Sequence, residues 1–227
     1  KNVVKSYSPK QYPFIAVTGI MGSGKTTASE LLAHKLGYHL FQEKPEENMF
    51  LPNFYKNPKR WALPAQLHYL QERAVQLRKI KELLHTTGVV QDSSIYQDYF
   101  TYTKAQHALG YLNDEEFTLY EKIFRVVSDD LPMPNLIIQL NASLPEIKRR
   151  IKNRGRGYEQ SLNPTYLRLL FKLQNEWVAH QSSLLILSVN VDSYNLTESG
   201  RQREKFVDIV RNAINKPDKN KNAVRRF

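Results

Sequence analysis

"GIMGSGKTT", residues 19–27, decides the fold. The pattern G-x-x-x-x-G-K-[ST] is met by Gly19, Gly24, Lys25 and Thr26. On its N-terminal side "FIAVTG" (14–19) reads as a buried strand; on its C-terminal side "KTTASELLAHKLG" (25–37) reads as a helix closed by Gly37. Glycines in such a loop let backbone N–H groups turn inward around phosphate oxygens, at the positive end of the helix dipole. Gly19, Ile20, Met21, Gly22, Ser23, Gly24, Lys25, Thr26 and Thr27 therefore form the expected triphosphate cradle. Lys25 would reach the β- and γ-phosphates, and the Thr26 hydroxyl would ligate Mg²⁺. Loops of this kind serve motors, GTP switches, transporters and kinases alike, so the reaction has to be read from the rest of the chain.

Working outward, "YHLFQE" (38–43), "GVVQD" (88–92), "PNLIIQL" (134–140) and "LLILSV" (184–189) read as four further strands. Helical patterns fill about 58–85, 94–109, 113–130, 144–153, 163–180 and 201–214, and a proline-punctuated loop separates the second strand from the first long helix. Asn113, followed by "DEE", is an N-cap with acidic residues favouring the dipole. Short apolar strands alternating with helices imply right-handed crossovers and a five-stranded parallel sheet covered on both faces. The expected organisation is a loose arm at 1–13, one α/β domain at 14–215, and a basic disordered tail at 216–227. Ligands of such sheets bind at the carboxyl ends of the strands, where Gly19, Glu43, Asp92 and Asn141 fall.

Composition narrows the class. A chain of 227 residues accommodates one α/β domain with a proper core, and a second full domain would be cramped. An apolar fraction of 41% and an aromatic fraction of 11% exclude general disorder. The apolar runs fall far short of the ~20 residues of a membrane helix. Absence of cysteine excludes disulfides and thiolate chemistry and fits a reducing compartment. The expected setting is the cytoplasm, or the mitochondrial matrix had a leader been removed ahead of Lys1. Much of the formal net charge of +11 lies in "KRRIKNRGR" (148–156) and "KPDKNKNAVRRF" (216–227). Neither is interleaved with stacking aromatics, so phosphate-bearing small molecules are the expected anionic partners and nucleic acid is not.

Residues beyond the loop separate the function classes. A GTP switch would carry an N/T-K-x-D base-reading element just after a strand; the one N-K-x-D string here, 215–218, follows a helical pattern and opens the basic tail. Small phosphotransferases close an arginine-rich lid over the transferring phosphoryl group, excluding water and neutralising charge. Arg150, Arg154 and Arg156 fit such a lid at about 150–160, the first two one helical turn apart, with Gly155 and Gly157 as hinge. An acceptor hydroxyl needs a base and Mg²⁺ needs ligands, so Glu43 and Asp92, ending neighbouring strands, are the expected acidic pair.

From Phe14 to about Val178 the chain resembles the deoxynucleoside kinases, the family of deoxycytidine, deoxyguanosine and bacterial deoxyadenosine kinases. "EKPEENMFL" (43–51) resembles the family's E-P-V-x-x-N-x-F-L, and "FYKNPKRW" (54–61) its F-Y-x-D-P-x-R-W. Gln66 and Arg73 fall at the family's Q-x6-R spacing. "DSSIYQD" (92–98) stands where the family has [DE]-R-S-x-Y-x-D, and "RRIKNRGRGYE" (149–159) resembles the lid R-x-x-x-R-x-R-x-x-E. The resemblance implies a P-loop kinase fold, MgATP as donor, a deoxynucleoside as acceptor, and a homodimer through the helices at about 58–85 and 113–130. It implies that Glu43 holds the 5′-hydroxyl and acts as base, with Asp92 near Mg²⁺ or sharing that role. Tyr55 and Glu159 would bind the 3′-hydroxyl and Gln66 the base edge. Arg73 and Asp98 would complete the polar side of the pocket, and Tyr69 and Tyr102 would line it. Asn190, Val191, Asp192 and Ser193 resemble, more weakly, the loop that grips the donor's adenine. Arg73 with Asp98 resembles the purine- and cytosine-accepting branch, and deoxyadenosine or deoxyguanosine is the expected substrate, with deoxycytidine next.

Ser93 departs from the family, which has arginine there to support the 5′-oxygen and brace the base-pocket acid. Losing such a donor costs roughly 2–4 kcal/mol of transition-state stabilisation where one has been deleted. Either the lid arginines compensate, or the enzyme is slow, or its substrate sits differently. Lys44 and Pro45, in place of Pro and Val, are a smaller departure. The competing readings are a nucleoside monophosphate kinase, which shares loop and lid, and a non-catalytic nucleotide-binding relative, of which Ser93 would be the first sign.

Overall fold

The computed structural model describes residues 12–159, 162–181, 184–192, 196–197, 200–215 and 224–226. Most of the N-terminal arm, Ser193 and most of the basic tail lie outside them. The strands are β1 (Phe14–Thr18), β2 (His39–Phe41), β3 (Val89–Asp92), β4 (Leu136–Asn141) and β5 (Ile186–Asn190). All five expected strands are present and parallel, in the order β2-β3-β1-β4-β5. A short sixth strand, β6 (Val224–Arg226), adds in parallel beside β5. It comes from the segment that composition assigned to a disordered tail.

Phe14, Ile15, Ala16 and Val17 are wholly buried, as expected of a central strand covered on both faces. Ile15 and Val17 pack in a cluster with Leu31 and Leu32 of α1 (Lys25–Leu36) and with Val207 and Val210 of α9 (Arg201–Asn215). Phe14 joins Leu77 and Ile80 of α3 (Pro58–Leu83) and Tyr120 and Phe124 of α6 (Asp114–Ser128). Ala16 packs with Trp177 and Val178 of α8 (Pro164–His180). Asn113 caps α6 as expected, in a full capping box: its side chain accepts from Glu116 N at 2.8 Å while the Glu116 carboxylate accepts from Asn113 N at 2.9 Å.

Two further segments differ from the sequence reading. The proline-punctuated stretch after β2 contains a short helix, α2 (Leu51–Lys56), with a proline in its first turn, where the missing N–H costs nothing. The pattern at 94–109 is interrupted: α4 (Ile95–Gln97) runs into a π-helical turn, Asp98–Thr103, before α5 (Lys104–Ala108) resumes. An inserted residue of this kind rotates the following side chains about the helix axis and is frequent at functional sites. The remaining helix, α7 (Leu144–Arg154), is capped by Ser143 and closed by Gly155 in the left-handed conformation. In register, Val17 of β1 lies beside both Asp92 of β3 and Ile138 of β4, so the phosphate loop leaves the sheet between two neighbours whose connections diverge. That is the switch point at which open α/β sheets bind ligands.

Candidate active site

The loop between β1 and α1 needs glycine at its first and sixth positions, Gly19 and Gly24. Gly19 has φ +149, and a Cβ there would meet Ser23 Oγ at 2.4 Å and the Leu140 carbonyl at 2.9 Å. Gly24, at φ +94, caps α1 in the left-handed region. Lys25 Nζ folds back to the Gly19 carbonyl at 2.9 Å and the Ile20 carbonyl at 3.5 Å. Thr26 Oγ1 donates to Asp92 Oδ2 at 2.7 Å. Asp92 Oδ1 is buried and has no hydrogen-bond partner among the described residues. A hydroxyl and a carboxylate side by side, the carboxylate with an oxygen to spare, suit a hard divalent cation that takes its other ligands from phosphate and water.

Beside the loop opens a cavity of about 330 Å³. Lys25, Thr26, Glu43, Tyr55, Gln66, Tyr69, Asp92, Asp98, Tyr102, Arg154, Arg156 and Glu159 all line it, so the structure gathers most of the residues singled out from sequence around one space. Burial pushes the hydroxyls of Tyr55, Tyr69 and Tyr102 well up, which keeps them protonated. Tyr55 stacks on Tyr158 with ring centroids 5.2 Å apart. The Thr103 hydroxyl lies 3.2 Å from Gln66 Oε1 and 2.9 Å from the Asp98 carbonyl, so the π-helical turn fixes both residues.

Arg73 lies behind the cavity, 1% exposed, and reaches two carboxylates at once: Nη2 is 2.5 Å from Glu43 Oε2 and Nε is 3.1 Å from Asp98 Oδ2. Gln76 Oε1 accepts from Arg73 Nη1 at 3.4 Å and from Gln91 Nε2 at 2.9 Å. Burial alone would raise Glu43, but the charges of Arg73 and Lys25 outweigh it and hold the carboxyl below its ordinary value. Burial raises Asp92, with the Glu43 charge adding to it against Lys25. Burial likewise pushes Asp98 up to about 6, against the pull of Arg73. Three acids here face two cations, and Asp98 takes the consequence.

Ser93 is 1% exposed and holds φ 68, the left-handed region that few side chains other than glycine adopt. Its N–H donates to the Val17 carbonyl at 3.0 Å. The hydroxyl lies near enough to Glu43 to help lower its pKa, yet forms no well-aligned hydrogen bond with a described residue. One buried guanidinium, that of Arg73, bridges the acid just past β2 and the acid at the start of the π-helical turn.

Of the arginines expected in a lid, Arg154 grips Glu159 through both oxygens, at 2.7 and 2.8 Å, and Arg156 lies 3.6 Å from the same carboxylate. Arg150 faces the phosphate loop instead, donating to the Ser23 carbonyl at 3.1 Å and the Val191 carbonyl at 3.4 Å. Val191 is buried, and the exposed Asp192 carboxylate accepts from Ser143 N at 2.9 Å, so the loop from Asn190 to Asp192 is pinned to the start of α7. Asn141 spends its amide on Ser188 and takes no part in the cavity. Gln106 and Tyr166, which sequence reasoning missed, line the cavity and are joined at 3.2 Å. Neither falls in a spaced motif, so no local signal marked them.

Residues 15–215 match the family model described as deoxynucleoside kinase. The chain is 31% identical to a deoxyguanosine kinase of Bacillus subtilis (strain 168) over 206 residues, 89% of this chain and 98% of that one. It is 28% identical to the deoxyadenosine/deoxycytidine kinase of the same organism, over 93% of this chain and 97% of the relative. A solved deoxyadenosine kinase from M. mycoides, with dCTP bound, superposes with a TM-score of 0.74 at 24% identity, covering 89% of this chain and 98% of that one.

Asp98 gives a pH signature. Its folded pKa lies above its ordinary 3.8, so its contribution to stability is full below that value and is lost as pH rises through about 6. Thermal melts of wild type and Asp98→Asn should therefore show the wild type losing ground on the variant between about pH 4 and pH 6. A constant offset across that range contradicts the raised pKa.

Proposed function

The chain belongs to the deoxynucleoside kinase family, and we propose that it moves the γ-phosphoryl group of ATP to the 5′-hydroxyl of a deoxynucleoside, purines being favoured. The observation that carries this reading is the placing of Glu43 and the Thr26–Asp92 pair on one cavity beside the phosphate loop. Glu43, ionised beside Arg73, holds the 5′-hydroxyl and takes its proton as the new O–P bond forms and the bond to the β-phosphate bridging oxygen breaks. A carboxylate of lowered pKa is a weak base, which suits a loose phosphoryl transfer in which the proton is needed late.

The remaining residues divide between donor and acceptor. The cradle at 19–27 and Lys25 hold the triphosphate, and Asn190, Val191 and Asp192 lie against the donor's adenine. Arg150, Arg154 and Arg156 close over the phosphoryl group and exclude water. Tyr55 and Glu159 hold the 3′-hydroxyl, Gln66 and the Arg73–Asp98 pair read the base, and Tyr69 and Tyr102 flank it. Thr26 and Asp92 would hold Mg²⁺, which would supply neutralisation of phosphate charge. The reading includes a homodimer built on α3 and α6, supported by the exposed Leu119 and Val126 on α6, and a cytoplasmic setting where ATP and salvaged deoxynucleosides meet. Against a monophosphate acceptor stand the segment "FYKNPKRW" (54–61), Gln66 and Arg73 at the family's spacing, and the family match over residues 15–215.

With MgATP and each of four deoxynucleosides in turn, chromatography of the products should find the 5′-monophosphate, most from deoxyadenosine or deoxyguanosine. Glu43→Gln should bind nucleoside but lose turnover by about 100-fold or more. A nucleoside monophosphate as the preferred acceptor, or near-wild-type turnover in Glu43→Gln, would sink the reading.

With Ser93 in place of the family arginine, Arg73 alone among the described residues joins Glu43 and Asp98. A second guanidinium at position 93 would enter a buried, left-handed position close to Glu43, which Arg73 already engages. Ser93→Arg should therefore leave kcat unchanged or lower it and reduce the melting temperature. A folded Ser93→Arg with raised kcat and unchanged nucleoside KM would mean that the missing arginine limits the rate.

A further inference from the structure

Gln97 is 1% exposed and spends both ends of its amide on one residue of the phosphate loop. Its Oε1 accepts from Gly19 N at 2.8 Å and its Nε2 donates to the Gly19 carbonyl at 2.9 Å. Only one orientation of the amide satisfies both contacts. Ser94 Oγ accepts from Gln97 N at 3.2 Å, which fixes the short helix that presents the side chain. The next residue is Asp98, on the wall of the acceptor cavity and paired with Arg73.

The Gly19 carbonyl also accepts from Lys25 Nζ at 2.9 Å. The Lys25 ammonium has three donors, so phosphate oxygens would compete with that carbonyl for them. A buried acceptor that loses its donor carries a desolvation cost unless another donor stays in place. Gln97 Nε2 is such a donor. It comes from an element outside the loop, so it holds the Gly19 peptide whether or not Lys25 does.

We propose that Gln97 is a positioning residue for the donor nucleotide. It holds the first peptides of the phosphate loop in their nucleotide-ready shape and keeps the Gly19 carbonyl satisfied when Lys25 turns to phosphate. It does so from the segment that also carries Asp98, so donor loop and acceptor pocket share one seven-residue support, Asp92 to Asp98. The inference rests on the kinase reading for the identity of the ligands.

The test is calorimetric binding of MgATP, and separately of deoxyadenosine, deoxyguanosine and deoxycytidine, to the full chain and two variants. Gln97→Met keeps the volume and loses both hydrogen bonds. Gln97→Glu keeps the acceptor for Gly19 N and sets an oxygen against the Gly19 carbonyl. Both should bind MgATP about tenfold more weakly or worse, and nucleoside within about threefold of wild type. In a Lys25→Ala background, where no ammonium leaves the carbonyl, the effect of Gln97→Met on nucleotide affinity should shrink to about threefold or less. MgATP affinity unchanged in both variants overturns the inference. So does loss of both ligands in the same proportion with a fallen melting temperature, which marks a packing role. A wild type that binds no MgATP overturns the kinase reading itself.

Discussion

The guanidinium of Arg73, between Glu43 and Asp98, is the interaction on which the site depends. Each carboxylate comes from a different element: Glu43 from just past β2, Asp98 from the start of the π-helical turn. Neither is held in place by its own backbone. Breaking a buried ion pair by removing one partner typically costs about 3–5 kcal/mol, because the other charge is left uncompensated. Here one cation serves two acids, so its loss would strand both. Gln76 and Gln91 extend the network into β3 and give the guanidinium a fixed approach from α3.

Around that contact the geometry is set by the sheet. β1 lies between β3 and β4, so the glycine loop, Asp92 and the cavity all open at the same edge. Thr26 and Asp92 meet because α1 begins where β3 ends, and the Asp92–Asp98 segment turns from there into the wall of the cavity. The π-helical turn then lets Asp98, Tyr102 and Thr103 act together: Asp98 and Tyr102 line the cavity, while Thr103 steadies Gln66. An uninterrupted α-helix over the same residues would place these side chains at different angles.

Much of this was legible in the sequence, for identifiable reasons. The phosphate loop needs glycine at particular backbone positions, so Gly19 and Gly24 announce it locally. Asn113 and Glu116 announce a helix start for the same kind of reason. Glu43, Asp92 and Asp98 were visible as strand-end or motif residues. That one arginine holds two of them was not, because the contact spans 30 residues in one direction and 25 in the other. The π-helical turn and the Gln97 clasp carry no composition signal, and α2 was hidden by its own proline.

The central claim is that Arg73 and the carboxylates it joins act as one unit in catalysis. A double-mutant cycle on kcat/KM with Arg73→Met, Asp98→Asn and the double variant measures this directly. If the three groups form one unit, Asp98→Asn costs much less when Arg73 is already gone, and the coupling reaches about 1.4 kcal/mol, a factor of ten, or more. Losses that add to within about 0.5 kcal/mol would contradict it, leaving Arg73 and Asp98 as independent contributors.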